Sequence, residues 1–347
     1  MQILLRKVLT ALLFIGIAFS SNPLKYAKPK LSDYGFFIGD LANLKPNENV
    51  VPYKVSAELF SDYAIKSRFI VLPKGEQIIY QSNGEFAYPI GSTLIKSFYY
   101  PADIREPENN IRLMETRLLI NTTEGWIGYP YVWNETQTEA FLEIAGERLD
   151  VSFINSQGNE ESFNYSVPNF NQCKGCHVNQ NKMKPIGIKA RLLNHEYDYP
   201  DGSINQLKKW SLLGMIKNLP EISTISHTPN YNDPNYGTLE ERARAWIDMN
   251  CAHCHRLGAP GETSGLFLNI EEENKTRLGI YKPPVAAGRA TGNLKYTISP
   301  GSPEKSIMIQ RMLSKDPGIM MPELGRKLVH KEGVELVSEW IEEMKKD

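Results

Sequence analysis

The sequence predicts an α+β protein of more than one domain: an N-terminal antiparallel β-sandwich-like domain, then an all-α C-terminal domain. Three observations carry this. Residues 50–167 hold short aromatic and β-branched runs separated by turn clusters, the pattern of antiparallel strands. From Pro168 onward that pattern gives way to loops with helical pieces. The chain has 347 residues, 41% of them hydrophobic and 23% charged, which suits two ordinary globular domains and not a disordered or polytopic membrane chain.

Taken in order, the first 20 residues read as a secretory signal peptide. Arg6 and Lys7 precede an apolar run over residues 8–19, and the small residues Ser20 and Ser21 follow it, with cleavage expected after Ser20. That run of 12 residues is too short for a hydrocarbon core needing roughly 20. No cysteine follows it for lipid attachment, so the expectation is a periplasmic protein with no membrane span after cleavage. A polar extension occupies residues 21–49. Strands are expected over residues 67–72, 77–80, 93–100, 111–120, 126–133 and 141–144, with residues 151–155 and 162–166 as a closing hairpin around Gly158.

Past Pro168, residues 206–215 carry Leu207, Trp210, Leu213 and Gly214 near one helical face. Thr238 and Glu241 form a capping-box pattern ahead of Leu239, Ala243, Trp246 and Ile247, which marks the clearest helix start. Ser302 and Pro303 open a further helix carrying Ile307 and Met312. A last helix is expected over residues 331–346, with Val334, Val337, Ile341 and Met344 on one stripe.

Charge excludes one class of partner. There are 39 Lys+Arg against 40 Asp+Glu, a net charge of -1, whereas binding to nucleic acid needs a concentrated basic excess. Residues 238–347 are balanced as well, so no overall field steers a partner to them.

The four cysteines of an exported chain would ordinarily read as two disulfides. Their placement says otherwise. Cys173-Lys174-Gly175-Cys176-His177 and Cys251-Ala252-His253-Cys254-His255 are both C-x-x-C-H and use every cysteine. From this composition one such match is expected only about 0.0008 times, so two are not accidental. Two thiols three positions apart on a helical turn can add to the two vinyl groups of one haem, and the adjacent histidine then reaches the iron. The motifs therefore predict two covalently attached haem c groups, held by Cys173, Cys176, Cys251 and Cys254, with His177 and His255 as iron ligands. Structural zinc and redox disulfides are the competing readings. His253, at an x position of the second motif, is expected to be a satisfied or exposed residue.

The second motif sits in a setting similar to a mono-haem cytochrome c domain, over residues 238–347. A helix leads into Cys251, and Met320-Met321-Pro322 stands in a Gly-rich loop before the last helix. That similarity implies a loop methionine as sixth ligand: Met321 first, Met320 as the register alternative. Arg289 is a candidate propionate partner. The first motif, in residues 168–237, has no such loop, and its sixth ligand stays open among Met183, His195, Met215, His227 and none.

The chain as a whole resembles a family of bacterial dihaem c-type cytochromes known mainly from genomes. The resemblance is carried by Leu31-Ser32-Asp33-Tyr34-Gly35-Phe36-Phe37, Leu59-Phe60-Ser61-Asp62-Tyr63-Ala64, Glu115-Thr116-Arg117-Leu118-Leu119, Asn250 with the second motif, Lys282-Pro283-Pro284-Val285-Ala286-Ala287-Gly288-Arg289 and Met320-Met321-Pro322-Glu323-Leu324-Gly325-Arg326. It implies a periplasmic protein that transfers single electrons between redox partners, with a β-rich N-terminal region. It names neither partner. A dihaem peroxidase-like enzyme with an open haem position is the alternative. A third reading makes the β-rich domain a docking module through Tyr99, Tyr100, Trp126, Tyr129, Tyr131 and Trp133.

Overall fold

The computed structural model describes residues 23–285 and 287–345, so the expected signal peptide lies outside the described residues. Strands come first: β1 (Val50–Pro52), β2 (Ile65–Val71), β3 (Ile78–Tyr80), β4 (Phe86–Ala87), β5 (Thr93–Tyr100), β6 (Arg112–Thr122), β7 (Gly125–Trp133), β8 (Ala140–Leu142), β9 (Glu147–Ile154) and β10 (Glu160–Val167). Helix α1 (Phe170–His177) follows, then β11 (Val178–Asn179), β12 (Lys182–Met183), α2 (Ala190–Leu193), β13 (Glu196–Tyr199), β14 (Gly202–Asn205), α3 (Gln206–Leu212) and β15 (Ile216–Lys217). The chain ends with α4 (Leu239–Asn250), α5 (Ile307–Leu313) and α6 (Lys331–Glu343). No helix among the described residues is long and apolar enough to cross a membrane.

The main sheet has six antiparallel strands in the order β1-β2-β5-β6-β7-β8. Side chains alternate across it, and pairing of Phe69 with Ile95, Ile95 with Leu118 and Leu118 with Tyr129 puts those four on one face. On that face they meet Leu31, Phe36, Phe37 and Leu44 of the N-terminal extension in a single apolar cluster. The extension is thus the lid of a core, although its sequence is polar on average. The opposite face, called inner here, carries Ile70, Leu94 and Leu119 and turns toward the second half of the chain. The β9–β10 hairpin, paired from Glu147 with Val167 to Ile154 with Glu160, packs Val151, Phe153, Tyr165 and Val167 on one end of the sheet.

This architecture corrects the expected fold class. Instead of two facing sheets, one large sheet is covered by an extension on one side and by the rest of the chain on the other. Nor is there an all-α C-terminal cytochrome c domain. Short strands are interleaved with the helices after residue 168, and β15 joins β3 in parallel, pairing Ile216 with Ile78. Between α4 and α5 the chain runs through turns and 3-10 segments, and between α5 and α6 through turns and bends. The apolar core ignores the expected boundary: Tyr53, Ile70, Ile78 and Leu94 pack in one cluster with Trp246, Val337, Trp340 and Ile341. The reason is geometric. Helices of 12 and 13 residues present one apolar stripe each, too little to close a core on themselves, so α4 and α6 bury their stripes against each other and against strand residues.

Local signals fare better. Thr238 and Glu241 form the capping box, with Thr238 Oγ1 accepting the Glu241 N–H. Pro303 opens a 3-10 turn just ahead of α5, and α6 starts at Lys331 as its periodicity requires. A buried Arg191–Asp248 pair at 2.7 Å ties α2 to α4, and the same carboxylate accepts the Ile270 N–H at 3.0 Å.

Because the core is shared, strands and helices should unfold together. Ile341→Ala empties a fully buried position and should cost about 2–5 kcal/mol in denaturant unfolding. Far-ultraviolet dichroism and tryptophan fluorescence should shift by the same amount; a transition that splits between the two probes would show an independent helical domain.

Candidate functional site

The first motif is built by α1. Asn169 caps it with a reciprocal box: its Oδ1 accepts the Gln172 N–H at 2.8 Å, and Gln172 Oε1 accepts the Asn169 N–H at 2.9 Å. Cys173, Cys176 and His177, at i, i+3 and i+4, then share one side of the helix. The β11–β12 turn folds back immediately, and His177 Nδ1–H donates to the Lys184 carbonyl at 2.8 Å. A carbonyl only accepts, so the proton sits on Nδ1 and Nε2 keeps its lone pair. Burial holds the imidazole pKa at about 4, so the ring is neutral at neutral pH.

The second motif repeats this chemistry with other parts. Cys251 caps α4, its N–H donating to Ile247, and His255 N–H donates to the Cys251 carbonyl at 2.9 Å, extending the helical turn. Ser264 Oγ–H donates to the Gly261 carbonyl at 2.6 Å, which leaves its oxygen to accept His255 Nδ1–H at 3.1 Å. Nε2 is again the free nitrogen, and burial again lowers the pKa to about 4. A Cβ on Gly261 would lie 2.9 Å from that Nδ1, so only glycine permits the approach.

The structure brings the two motifs together. Just beyond them, Gln180 N–H donates to the Gly258 carbonyl at 2.8 Å and Asn179 Nδ2 donates to Leu257 at 2.9 Å. Gly258 has φ of +76°, and a Cβ there would lie 2.8 Å from Gln180. The Cys176 and Cys254 thiols touch across this clasp; the Cys254 thiol and His253 beside it hold Cys176 low. Burial pushes Cys251 up to about 12. All four cysteines are free thiols, and among the described residues no three His, Cys, Asp or Glu side chains gather as a metal ion needs.

A cavity opens between α1 and the inner sheet face, with about 2080 Å³ of space free of protein atoms including its mouth. Cys173, Cys176, His177 and Met183 form one wall. Gly128 of β7 faces this wall, and a Cβ there would sit in ordinary contact distance, 3.4 Å from Cys173 Cβ and 3.6 Å from Met183 Cε. Met320 and Met321 line the same cavity. Arg326 fixes their loop, its guanidinium donating to the carbonyls of Met321 at 2.8 Å, Ser314 at 3.0 Å, and Arg311 and Leu328 at 3.1 Å. Asp62 accepts the N–H groups of Lys327 and Leu328 at 2.7 Å each, fastening the loop to the sheet side.

Several expectations change. Met321 lines the cavity of the first motif, and Cys251, Cys254 and His255 do not line it. Of the open candidates for the first motif only Met183 reaches the cavity. His195 has Nδ1 on the Glu196 carbonyl and Nε2 within 3.1 Å of both Lys54 and Gln206, Met215 belongs to the apolar core, and His227 is exposed beside Tyr236. His253 is not exposed: it is buried, lines the cavity beside Cys176, and among the described residues its Nδ1 has no partner. Arg289 forms a two-pronged pair with Asp316 at 2.9 Å on the surface, which takes it away from the role suggested for it. Four of the six proposed docking aromatics, Tyr100, Tyr129, Tyr131 and Trp133, are core.

Sequence reasoning missed two features. His330 lines the cavity, stacks on Phe60 at 4.3 Å and accepts Trp246 Nε1–H at 2.8 Å through Nδ1, which makes it a fixed part of the wall. Nothing local marks it. The other is a polar rung on the inner face, where Arg68, Lys96 and Arg117 line the cavity. Glu58 pairs with Arg68 at 3.1 Å and Lys66 at 3.8 Å, and Glu115 pairs with Arg117 at 2.6 Å. Burial pushes the Glu58 carboxyl up, but Arg68 and Lys66 outweigh it and hold it at about 2.

No known protein family, curated protein or solved structure matches the chain.

Two outcomes follow from this geometry. The stability Glu58 confers is complete above its unfolded pKa of about 4.3 and disappears as pH falls toward its folded value of about 2. Glu58→Gln should therefore be less stable at neutral pH and show a flatter acid limb in urea titrations; coincident acid limbs would assign the loss to another group. Arg326→Ala orphans several buried carbonyls and should cost about 1–3 kcal/mol. Amide exchange should accelerate first at Met320, Met321 and Leu328, ahead of the β6 and β7 amides.

Proposed function

We propose that this chain is an exported, periplasmic dihaem c-type cytochrome that passes single electrons between protein partners. The observation that carries the reading is the shared state of the two motif histidines. Each is half-buried and neutral, spends Nδ1–H on a fixed acceptor and keeps Nε2 free beside its C-x-x-C pair. Zinc in a four-cysteine cage would not need a histidine after either pair, and a disulfide would need none at all. In this reading the chain is a member of the dihaem c-type cytochrome family that its motifs resemble.

The residues divide the work. Cys173 with Cys176, and Cys251 with Cys254, supply the thioether anchors; His177 and His255 supply the imidazole ligands. The Lys184 carbonyl and Ser264 hydroxyl keep each ring in one tautomer and orientation, with Nε2 left as the nitrogen that would hold the iron. Met321, held through the Arg326 clamp, would offer its thioether to the haem in the cavity it lines, that of the first motif. Bound haem supplies a one-electron ferric/ferrous couple, and a thioether ligand favours its ferrous side. The clasp between the Asn179-Gln180 and Leu257-Gly258 segments holds the two anchor pairs side by side, a short path between two redox groups.

The mature chain, coexpressed with the haem-attachment machinery, should carry the mass of two haems. Cys173→Ser/Cys176→Ser should carry one, and so should Cys251→Ser/Cys254→Ser. Met321→Ala should lose the absorption band of a methionine-ligated ferric haem, and reduced protein should not bind carbon monoxide. A chain with the mass of its residues alone overturns the reading, and carbon monoxide binding to one haem moves it to an enzyme with an open position.

A further inference from the structure

The inner sheet face contains an arrangement that folding alone does not account for. Arg68 of β2 is directly paired with Lys96 of β5, and Lys96 with Arg117 of β6. Three cations therefore stand in one row across neighbouring strands about 4.8 Å apart, on the same face. Like charges directly opposite each other destabilise a sheet. Lys66 adds a fourth cation two residues from Arg68, with its side chain 4% exposed.

Two carboxylates answer these four cations, Glu58 at Arg68 and Lys66, and Glu115 at Arg117. Glu115 is further occupied by the Tyr165 hydroxyl at 2.5 Å. Asp62, the next nearest acid, is spent on the Lys327 and Leu328 N–H groups. Among the described residues the Lys96 ammonium has no hydrogen-bond or ion-pair partner; it lies 5.0 Å from the Phe98 ring centroid, and Lys96 lines the cavity. Burial and the flanking Arg68, Lys66 and Arg117 push its pKa well below the usual lysine range. The row begins beside Cys173 at Arg117 and runs away from it through Lys96 to Arg68, while apolar Leu94 and Leu119 flank it in the cavity wall.

We propose that the Arg68–Lys96–Arg117 row, with Lys66 behind it, is the binding site for the two propionate carboxylates of the haem anchored at Cys173 and Cys176. This rests on the dihaem reading above. The charges match: four cations less two carboxylates leave two positive charges, and a haem carries two propionates. The shape matches too, because a macrocycle held at one edge by thioethers extends its carboxylates away from that edge, in the direction the row takes. With them in place Lys96 gains a charge-assisted partner and the repulsion along the row is neutralised.

The test is redox titration of the holoprotein with Lys96→Met and Lys96→Arg. A positive charge near the haem favours the ferrous state, so Lys96→Met should lower one of the two reduction potentials and leave the other in place, and Lys96→Arg should restore it. Where Lys96→Met does not accumulate, Lys96→Gln takes its place with the same expectation. Two bound haems with both potentials unmoved in the charge-removing variant overturn the propionate site alone. A drop that Lys96→Arg does not restore assigns the effect to packing and overturns it as well. A chain without covalent haem overturns this site together with the reading it rests on, and mass measurement distinguishes that case from the others.

Discussion

The structure is organised around one constraint: the inner face of the six-stranded sheet cannot be closed by apolar packing alone. Ile70, Leu94 and Leu119 form one part of it, and the hairpin covers another end through Phe98 and Val132. Between these apolar zones lies the rung of Arg68, Lys96 and Arg117, with Lys66 and Glu115 on the same face. Desolvating such a rung under hydrocarbon costs several kcal/mol per ion unless every charge is answered. The chain instead leaves a cavity there and lines it with α1, the Met320-Met321 loop and the C-terminal end of α4.

That roof explains why the helical elements are not a domain of their own. α4 and α6 cross and share Trp246, Val337 and Ile341, yet their cluster continues into strand residues, and β15 extends the sheet formed by β3 and β4. The motifs inherit rigidity from both sides. Helix α1 packs against β7, Asp62 and Arg326 fasten the methionine loop, and the Gln180–Gly258 clasp joins the two C-x-x-C-H segments. A site that holds ligands in fixed orientation needs support of this kind around its first contacts. The net charge is balanced, and Tyr100, Tyr129, Tyr131 and Trp133 of the β region are core residues.

What was legible in the sequence was short-range. Strand runs, the Thr238–Glu241 capping box, the α6 stripe and the two C-x-x-C-H motifs depend on residues within one or two turns or one strand of each other. Their local geometry survives in the structure. The readings that failed needed distance. The all-α domain was inferred from helical periodicity, which says where an apolar stripe lies but not what covers it. His253 was set aside from its direction on an isolated turn, yet packing of the first motif against the second buries it. Arg289 was matched to a ligand by residue type, and Asp316, 27 residues on, had already claimed it.

By itself, then, the sequence determined the two C-x-x-C-H segments: which thiols pair, which histidine follows each pair, and that no cysteine is left over. These are consequences of spacing along one chain segment, which local backbone geometry preserves. Only the tertiary structure decided the surroundings of that chemistry. The pairing of Arg68 with Lys96 and of Lys96 with Arg117 joins positions 28 and 21 residues apart, and it exists only because strand register aligns them. No spacing rule marks such a row, since a shift of one residue in either pairing would turn a strand's cations to the opposite face.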